Sequence, residues 1–335
     1  MDSMAAPRLE DLPALVAALS AGDAAATEAA AALSPPYLWT REIVEAGGIA
    51  PLIELLHVGS EGAKEHAAGA LWNLAYNDDT KAAVAEAGAI APLVELLRSG
   101  REGAQENAAA ALMNLSVNQN LSVNDAYAAA IAEAGGIAPL IELLCSGSDD
   151  AKEDAVGALR NLANNDAYAV EIAAAGGIAP LEQYVGDAQE DAVEALEKVR
   201  AAVEAQAAAQ QERQAAAARV AAAAEAAARS ERWKAERVQA GVDEHMPEPP
   251  KRHVCSLTHE AMIDPVIDAL GNTYERSAIQ RWLQSHNTSP LTGARLPHKE
   301  LTPNIVLKSI IQEWEEEAHE ECMAMAQAPG AAQAG

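Results

Sequence analysis

Between residues 40 and 200, apolar and polar positions recur in helical blocks broken at regular intervals by glycine and proline. The marker Glu45-Ala-Gly-Gly-Ile-Ala-Pro-Leu52 returns as Glu86–Leu93, Glu133–Leu140 and, with alanine first, Ala174–Leu181, at intervals of 41, 47 and 41 residues. A second marker, Leu-x-Asn-Leu, falls at Leu71–Leu74, Leu112–Leu115 and Leu159–Leu162, each asparagine 22 residues after its repeat's proline. The long interval therefore holds an insertion after Asn114, around Gln119–Asn124, predicted as a loop between repeats. Each unit reads as a short helix (81–87), a break at Gly88, a helix opened by Ile90-Ala-Pro92 and a long helix (103–118). Proline suits a first helical turn because its missing N–H has no partner there, and Gly47 and its equivalents permit a sharp turn. No single unit buries its apolar side, so the units must stack.

This period and pattern resemble armadillo repeats. The resemblance implies an α-solenoid over residues 8–201, with repeats starting near 45, 86, 133 and 174, a degenerate N-terminal cap (12–47) and a partial last repeat (177–201). On the long helix, Asn73, Asn77, Gly69 and His66 share one stripe, followed in the next repeats by Asn114, Asn118, Ala110, Asn107 and by Asn161, Asn165, Gly157, Asp154. In armadillo proteins that stripe lines a concave groove, so Asn73, Asn114 and Asn161 are candidates for gripping the backbone of a client peptide. An amide offers both donor and acceptor for that task. Asn77, Asn118 and Asn165 sit where the helix ends and read rather as helix-end caps, asparagine being a common helix terminator. Gly69, Ala110 and Gly157 stand where importin-like proteins carry tryptophan, while Trp72 is followed at its counterparts by Met113 and Arg160. A nuclear-import role is thereby disfavoured. Glu65, Glu106 and Glu153 flank the stripe and suit a basic client, though a solvated charged face explains them as well.

Residues 187–240 are rich in Ala, Glu, Gln and Arg, all strong helix formers, and predict one long helix of about 75 Å at ~1.5 Å per residue. Leu196, Val199 and Val203 begin an apolar stripe that Gln210 and Arg213 interrupt, which argues against a lasting coiled coil. Residues 241–250, with Gly241 and Pro247-Glu-Pro-Pro, read as a hinge, and 319–335 as a disordered tail.

Residues 252–314 have the spacing of a zinc-binding RING, but its eight ligand slots hold Cys255, Thr258, Leu270, Asn272, Glu275, Ala278, Ser289 and Thr292. A structural zinc site needs four thiolate or imidazole donors, so neither site closes. The blocks Cys255-Ser-Leu-Thr, Met262-Ile-Asp-Pro-Val266, Gly271-Asn-Thr-Tyr-Glu-Arg276, Ile279-Gln-Arg-Trp-Leu283, Ser289-Pro-Leu-Thr-Gly293 and Leu301-Thr-Pro-Asn304, closed by a helix from Ile305 to Trp314, resemble the U-box, the zinc-free relative of the RING. The domain is placed at 251–318. The whole chain is then mainly α: an armadillo-type α-solenoid, a long connecting helix and a small α+β zinc-free U-box domain.

What this resemblance implies is an E3 ubiquitin-protein ligase, a RING-type ubiquitin transferase without a covalent catalytic residue and without cofactor or metal. Such ligases bind a ubiquitin-charged E2 enzyme and act by positioning. Leu257 takes the first-loop apolar contact with the E2, Trp282 the central-helix contact and Pro290 the second-loop contact; as a bland alternative, Leu257 and Trp282 belong to the core. Met262, Val266, Ile279, Ile305, Leu307 and Ile310 are assigned to the core, and Cys255 reads as a small core residue. Glu275, Arg276, Asp264 and His286 are candidates for the polar ties that replace zinc. Ser256 stands where proline is usual, and Gly293 where many active ligases carry a basic residue, with Arg295 two positions away.

Fifty acidic against 23 basic residues give a net charge of −27, which argues against nucleic acid or anionic lipid as a partner. No apolar run reaches the length of a membrane span and three scattered cysteines offer no disulfide framework, so a soluble protein of the cytoplasm or nucleus is the expectation. Two functions compete: a ligase whose repeats select an unknown protein client while the U-box recruits E2 and ubiquitin, and a non-catalytic scaffold with a degenerate U-box. Either way, the purified chain should carry no stoichiometric zinc, and EDTA should leave its melting transition unmoved. Elemental analysis with calorimetry checks this, and a metal requirement for cooperative melting would overturn it.

Overall fold

The computed structural model describes residues 8–21, 23–34, 39–117 and 121–327. The chain divides into two compact units, 1–209 and 210–335. In the first, α1 (Leu12–Ala18) and α2 (Asp23–Leu33) precede the repeats α3 (Thr40–Glu45), α4 (Ile49–Val58), α5 (Glu61–Tyr76), then α6 (Asp78–Glu86), α7 (Ile90–Ser99), α8 (Glu102–Ser116), then α9 (Leu121–Glu133), α10 (Ile137–Ser146), α11 (Asp149–Leu162). A fourth repeat, α12 (Asp166–Ala174) and α13 (Ile178–Gln183), borrows the start of α14 (Gln189–Gln239) as its long helix. Gly47, Gly88, Gly135 and Gly176 hold φ between +71° and +84°, the left-handed conformation that turns each short helix into the next.

The long helices α2, α5, α8 and α11 stack in order. Their shared core is alanine and leucine, with Ala67, Leu71 and Leu74 of α5 against Ala108, Leu112 and Leu115 of α8 fully buried. Small residues permit the close approach. A Cβ on Gly157 would lie 2.6 Å from Met113 Sδ, and one on Gly69 the same distance from Ser34 Oγ. Two of the long helices are capped at their start by serine: Ser60 and Ser148 accept from Ala63 N and Ala151 N.

Three expectations need correction in this unit. Residues 121–124 of the insertion are helical, extending the first helix of the third repeat in a segment free of glycine and proline; 119–120 lie outside the described residues. The long helix α8 ends at Ser116, not 118. Asn77 and Asn165 cap the start of the following helix rather than the end of the preceding one, each side-chain oxygen accepting from the N–H two residues on at 2.9 Å. Asn118 lies outside the described residues.

The helix α14 runs 51 residues without proline or glycine. Ala192, Ala195, Val199 and Ala202 are buried in the first unit. Ala202, 22 residues after Pro180, occupies the place of the repeat asparagine. Side chains from 204 to 222 are exposed all round, and there the helix rests on alanine's propensity rather than on packing. Among the described residues no single helix is long and apolar enough to cross a membrane.

In the second unit, β1 (Pro265–Ile267), β2 (Thr273–Glu275) and β3 (Thr302–Pro303) form an antiparallel sheet in the order β2-β1-β3, with Val266 opposite both Tyr274 and Pro303. Helices α15 (Arg276–Leu283) and α16 (Ile305–Gln327) flank it. Cys255, Met262, Val266, Tyr274, Ile279, Leu283, Leu296 and Ile311 make the core. Ile305, expected in the core, is 70% exposed along with its neighbour Val306, and Ile311, not the half-buried Ile310, turns inward. The expected tail is helical as far as Gln327, with 328–335 outside the described residues. Contacts with the end of α14 hold it: the His319 ring stacks on Trp233 at 5.0 Å and its Nε2 meets Glu236 at 3.3 Å, while Ala318 and Cys322 are buried. The expected hinge is likewise anchored at its start, with Val242 buried and Arg237 paired to Asp243 at 3.2 Å.

Candidate functional site

Two loops of the second unit are built alike. In the first, Cys255 N donates to Glu260 O and His259 N to Cys255 O, both at 2.9 Å; in the second, Ser289 N donates to Ala294 O at 2.8 Å and Gly293 N to Ser289 O at 2.9 Å. Thr258 and Thr292 each accept from the N–H two residues on at 3.3 Å. His259 and Gly293 both take left-handed φ, +59° and +68°. A basic side chain at 293 would pay the left-handed penalty that glycine avoids, which gives the departure at this position a backbone cause.

Two polar clusters tie these loops to the sheet, and they interleave along the chain. In one, the Cys255 thiol accepts from Glu275 N at 3.2 Å and Leu257 N at 3.4 Å. The Glu275 carboxylate accepts from Ile263 N and Asp264 N at 2.8 and 3.0 Å, and Arg276 Nε meets Asp264 Oδ2 at 2.7 Å with both side chains largely buried. In the other, buried Asp268 accepts from Leu270 N and Asn272 N, both at 2.9 Å, and from the Asn272 amide. Asn272 Nδ2 reaches Ser289 Oγ at 3.3 Å, Tyr274 OH lies 2.8 Å from the same oxygen, and Leu291 N donates to Tyr274 OH. Burial pushes the Asp268 carboxyl up, but the donors from Asn272, Leu270 and Ser289 together hold it below the usual carboxylate range. Burial raises the Tyr274 phenol, so it stays protonated and neutral.

Glu275, Arg276 and Asp264 thus serve as ties. His286 does not: it stacks on Trp282 with ring centroids 3.9 Å apart, on the surface. Asp268 and Tyr274 went unpredicted, because an Asp two residues after a Val and a Tyr inside a strand look like ordinary turn and core residues. Among the described residues no group of three or more His, Cys, Asp or Glu side chains has metal-binding geometry.

Leu257 and Trp282 are half-buried, packed by one side against the core, and Pro290 is half-buried on the second loop. Trp282 Nε1 donates to Thr288 O at 2.8 Å, so the central helix and second loop are joined at this surface. Leu291, next to Pro290 and the counterpart of Leu257 in the matching loop, is 61% exposed and was missed; the shared Leu-Thr of the two loops was the available signal.

On the solenoid, Asn73 and Asn114 are buried and Asn161 half-buried. Each amide reaches back to the preceding repeat: Asn73 to Ser34 O, Asn114 to Trp72 O at 3.4 Å and Asn161 to Ser116 Oγ at 3.0 Å. They tie neighbouring helices, and Trp72 and Met113, beside the first two of them, are the more exposed. Asp154 sits among carboxylates, and burial, then Glu153, Glu106 and Asp150, pushes it up to about 7.

Asp268→Ala should lower the stability of the second unit by about 2–4 kcal/mol, because its donors lose their acceptor. The native contribution of Asp268 is present above the unfolded carboxylate pKa and is lost as pH falls through its lowered folded value, so melting of the variant should lack that acid dependence. Asp154 has the opposite sign. Its folded pKa exceeds the unfolded 3.8, so stability falls as pH rises from there to about 7. Asp154→Asn should flatten that slope and stabilise the first unit at about pH 8 by on the order of 1–2 kcal/mol, after allowance for solvent screening. Urea titrations on either side of the window check it.

Comparison with known families matches the U-box domain to residues 250–320 and the Armadillo/beta-catenin-like repeat to 40–76, 77–117 and 124–164. The chain is similar to U-box domain-containing protein 36 of Arabidopsis thaliana, 48% identical over 82 residues, 24% of this chain and 19% of the relative. It is also similar to U-box domain-containing protein 12 of Oryza sativa subsp. japonica, 49% identical over 76 residues, 22% of this chain and 12% of the relative. It therefore spans less than a fifth of the length of these curated relatives. Among solved structures, a designed armadillo repeat protein superimposes with TM-score 0.51 at 30% identity, covering 57% of this chain and 82% of that one. Another, in complex with the peptide (KR)4, gives TM-score 0.50 at 29% identity over the same shares. The chain thus carries armadillo/beta-catenin-like repeats in its first unit and a U-box domain, braced by buried polar contacts, in its second.

Proposed function

We propose that the chain is an E3 ubiquitin ligase in which the U-box recruits a ubiquitin-charged E2 and the solenoid holds the protein client. The observation that carries this reading is the half-exposed set Leu257, Trp282 and Pro290, presented by two hydrogen-bonded loops and the helix between them. An apolar surface pinned by a buried polar framework suits docking, because little side-chain freedom is lost on binding. The E2 keeps the thioester and the ligase supplies orientation, which is a large effect when the reacting atoms are already close. Leu291 extends the apolar surface of the second loop. Arg295, bridged to Thr288, supplies the basic contact that Gly293 cannot.

The client lies along the open face of the long helices, beside Trp72 and Met113, and is basic in character. Glu65, Glu106 and Glu153 supply the charge complementarity, and a structural neighbour carries a (KR)4 peptide. The asparagines contribute rigidity, with one donor each already committed to the neighbouring repeat.

Reconstitution with E1, ubiquitin and several E2s tests the ligase reading. Discharge of the E2–ubiquitin thioester onto free lysine should be accelerated by the chain and should fall about tenfold or more in Trp282→Ala, the loss of one buried aromatic anchor. The variant's melting curve separates lost docking from lost folding. A wild-type chain that accelerates no E2 leaves the non-catalytic scaffold.

A further inference from the structure

A ligase holds an activated ubiquitin beside its own lysines, and this chain has eight of them. The four in the first unit are all engaged. Lys64 pairs with Glu61 at 3.4 Å and Lys152 with Asp149 at 3.6 Å, their side chains 22% and 28% exposed. Lys198 pairs with Glu194 at 29% exposure. Lys81, at 5%, is held by Asp78 at 3.1 Å and donates to Val117 O. In the second unit, Lys299 Nζ donates to Leu283 O at 2.8 Å and Lys308 is half-buried on α16. Lys234 is exposed on α14. Lys251 is exposed as well, and it lines a cleft with Cys255, Ser256 and His259 of the first loop, which presents Leu257.

We propose that Lys251 is the chain's own ubiquitin acceptor, and that the solenoid presents none, leaving the bound client to supply the other amine. This rests on the ligase reading above. Aminolysis needs an amine free to approach the thioester carbonyl within van der Waals distance. At Lys64, Lys152 and Lys198 the incoming carbonyl would have to displace a carboxylate from a partly covered Nζ. At Lys251 it would meet an open side chain next to the docking loop. In the step itself, the Nζ lone pair attacks the thioester carbonyl carbon of ubiquitin's C-terminal residue. A C–N bond forms, the C–S bond breaks, the E2 cysteine leaves as thiolate and the amine's proton passes to solvent.

The test uses the full chain with E1, E2 and ubiquitin, without client, followed by tryptic digestion and mass-spectrometric mapping of the remnant left on modified lysines. Lys251 should carry most of the signal, and Lys251→Arg should lower self-modification about tenfold while thioester discharge onto free lysine is unchanged. Remnants on Lys64, Lys152, Lys198 or the equally exposed Lys234 equal to those on Lys251, or undiminished self-modification in Lys251→Arg, would overturn the assignment and leave the ligase reading standing. Absence of discharge onto free lysine, by contrast, would sink the ligase reading and this inference together.

Discussion

A buried carboxylate, Asp268, does in the U-box what a cation does in its metal-binding relatives, with the sign of the charge reversed. Zinc gathers electron-pair donors around one positive centre. Asp268 gathers N–H donors around one negative centre, and the Asn272 amide passes the connection on to Ser289 and Tyr274. Burying an ion is costly unless it is fully hydrogen-bonded. The lowered pKa of Asp268 shows that here the donors outweigh the desolvation. The second cluster, Cys255 with Glu275 and Asp264 with Arg276, spans the first loop and crosses it in sequence. Because the two clusters interleave, neither loop can move without breaking bonds to the sheet, and Leu257 and Pro290 on those loops inherit that rigidity.

The solenoid solves a different packing problem. With no phenylalanine and few other aromatics, its core must be filled by alanine and leucine, which works only if helices approach closely. Gly69 and Gly157 permit that approach at the α2–α5 and α8–α11 contacts. The repeat asparagines then span each contact with a hydrogen bond. Fourth in the series, Ala202 carries no amide, and from there α14 leaves the stack and continues as an exposed helix.

Charge shapes the surface of the first unit. Its excess of carboxylates raises Asp154 and pairs with Lys64, Lys81, Lys152 and Lys198.

Much was legible in one dimension. The Gly-Gly/Ala-Ile-Ala-Pro marker located every turn and every middle helix, since a left-handed glycine and a first-turn proline are local requirements. The eight ligand slots with one cysteine announced a zinc-free cross-brace, because ligand chemistry is a property of residue type. Glu275, Arg276 and Asp264 could be named as ties for the same reason. What the residues alone did not contain was direction: whether Asn73 faces a groove or its neighbouring helix, whether His286 ties a loop or covers Trp282, whether Ile305 or Ile311 turns inward. Those depend on which surfaces meet after folding, and a helix carries no mark for the side its partner will take. The tail up to Gln327 belongs to the same class, ordered as a helix where Trp233 and Glu236 meet His319.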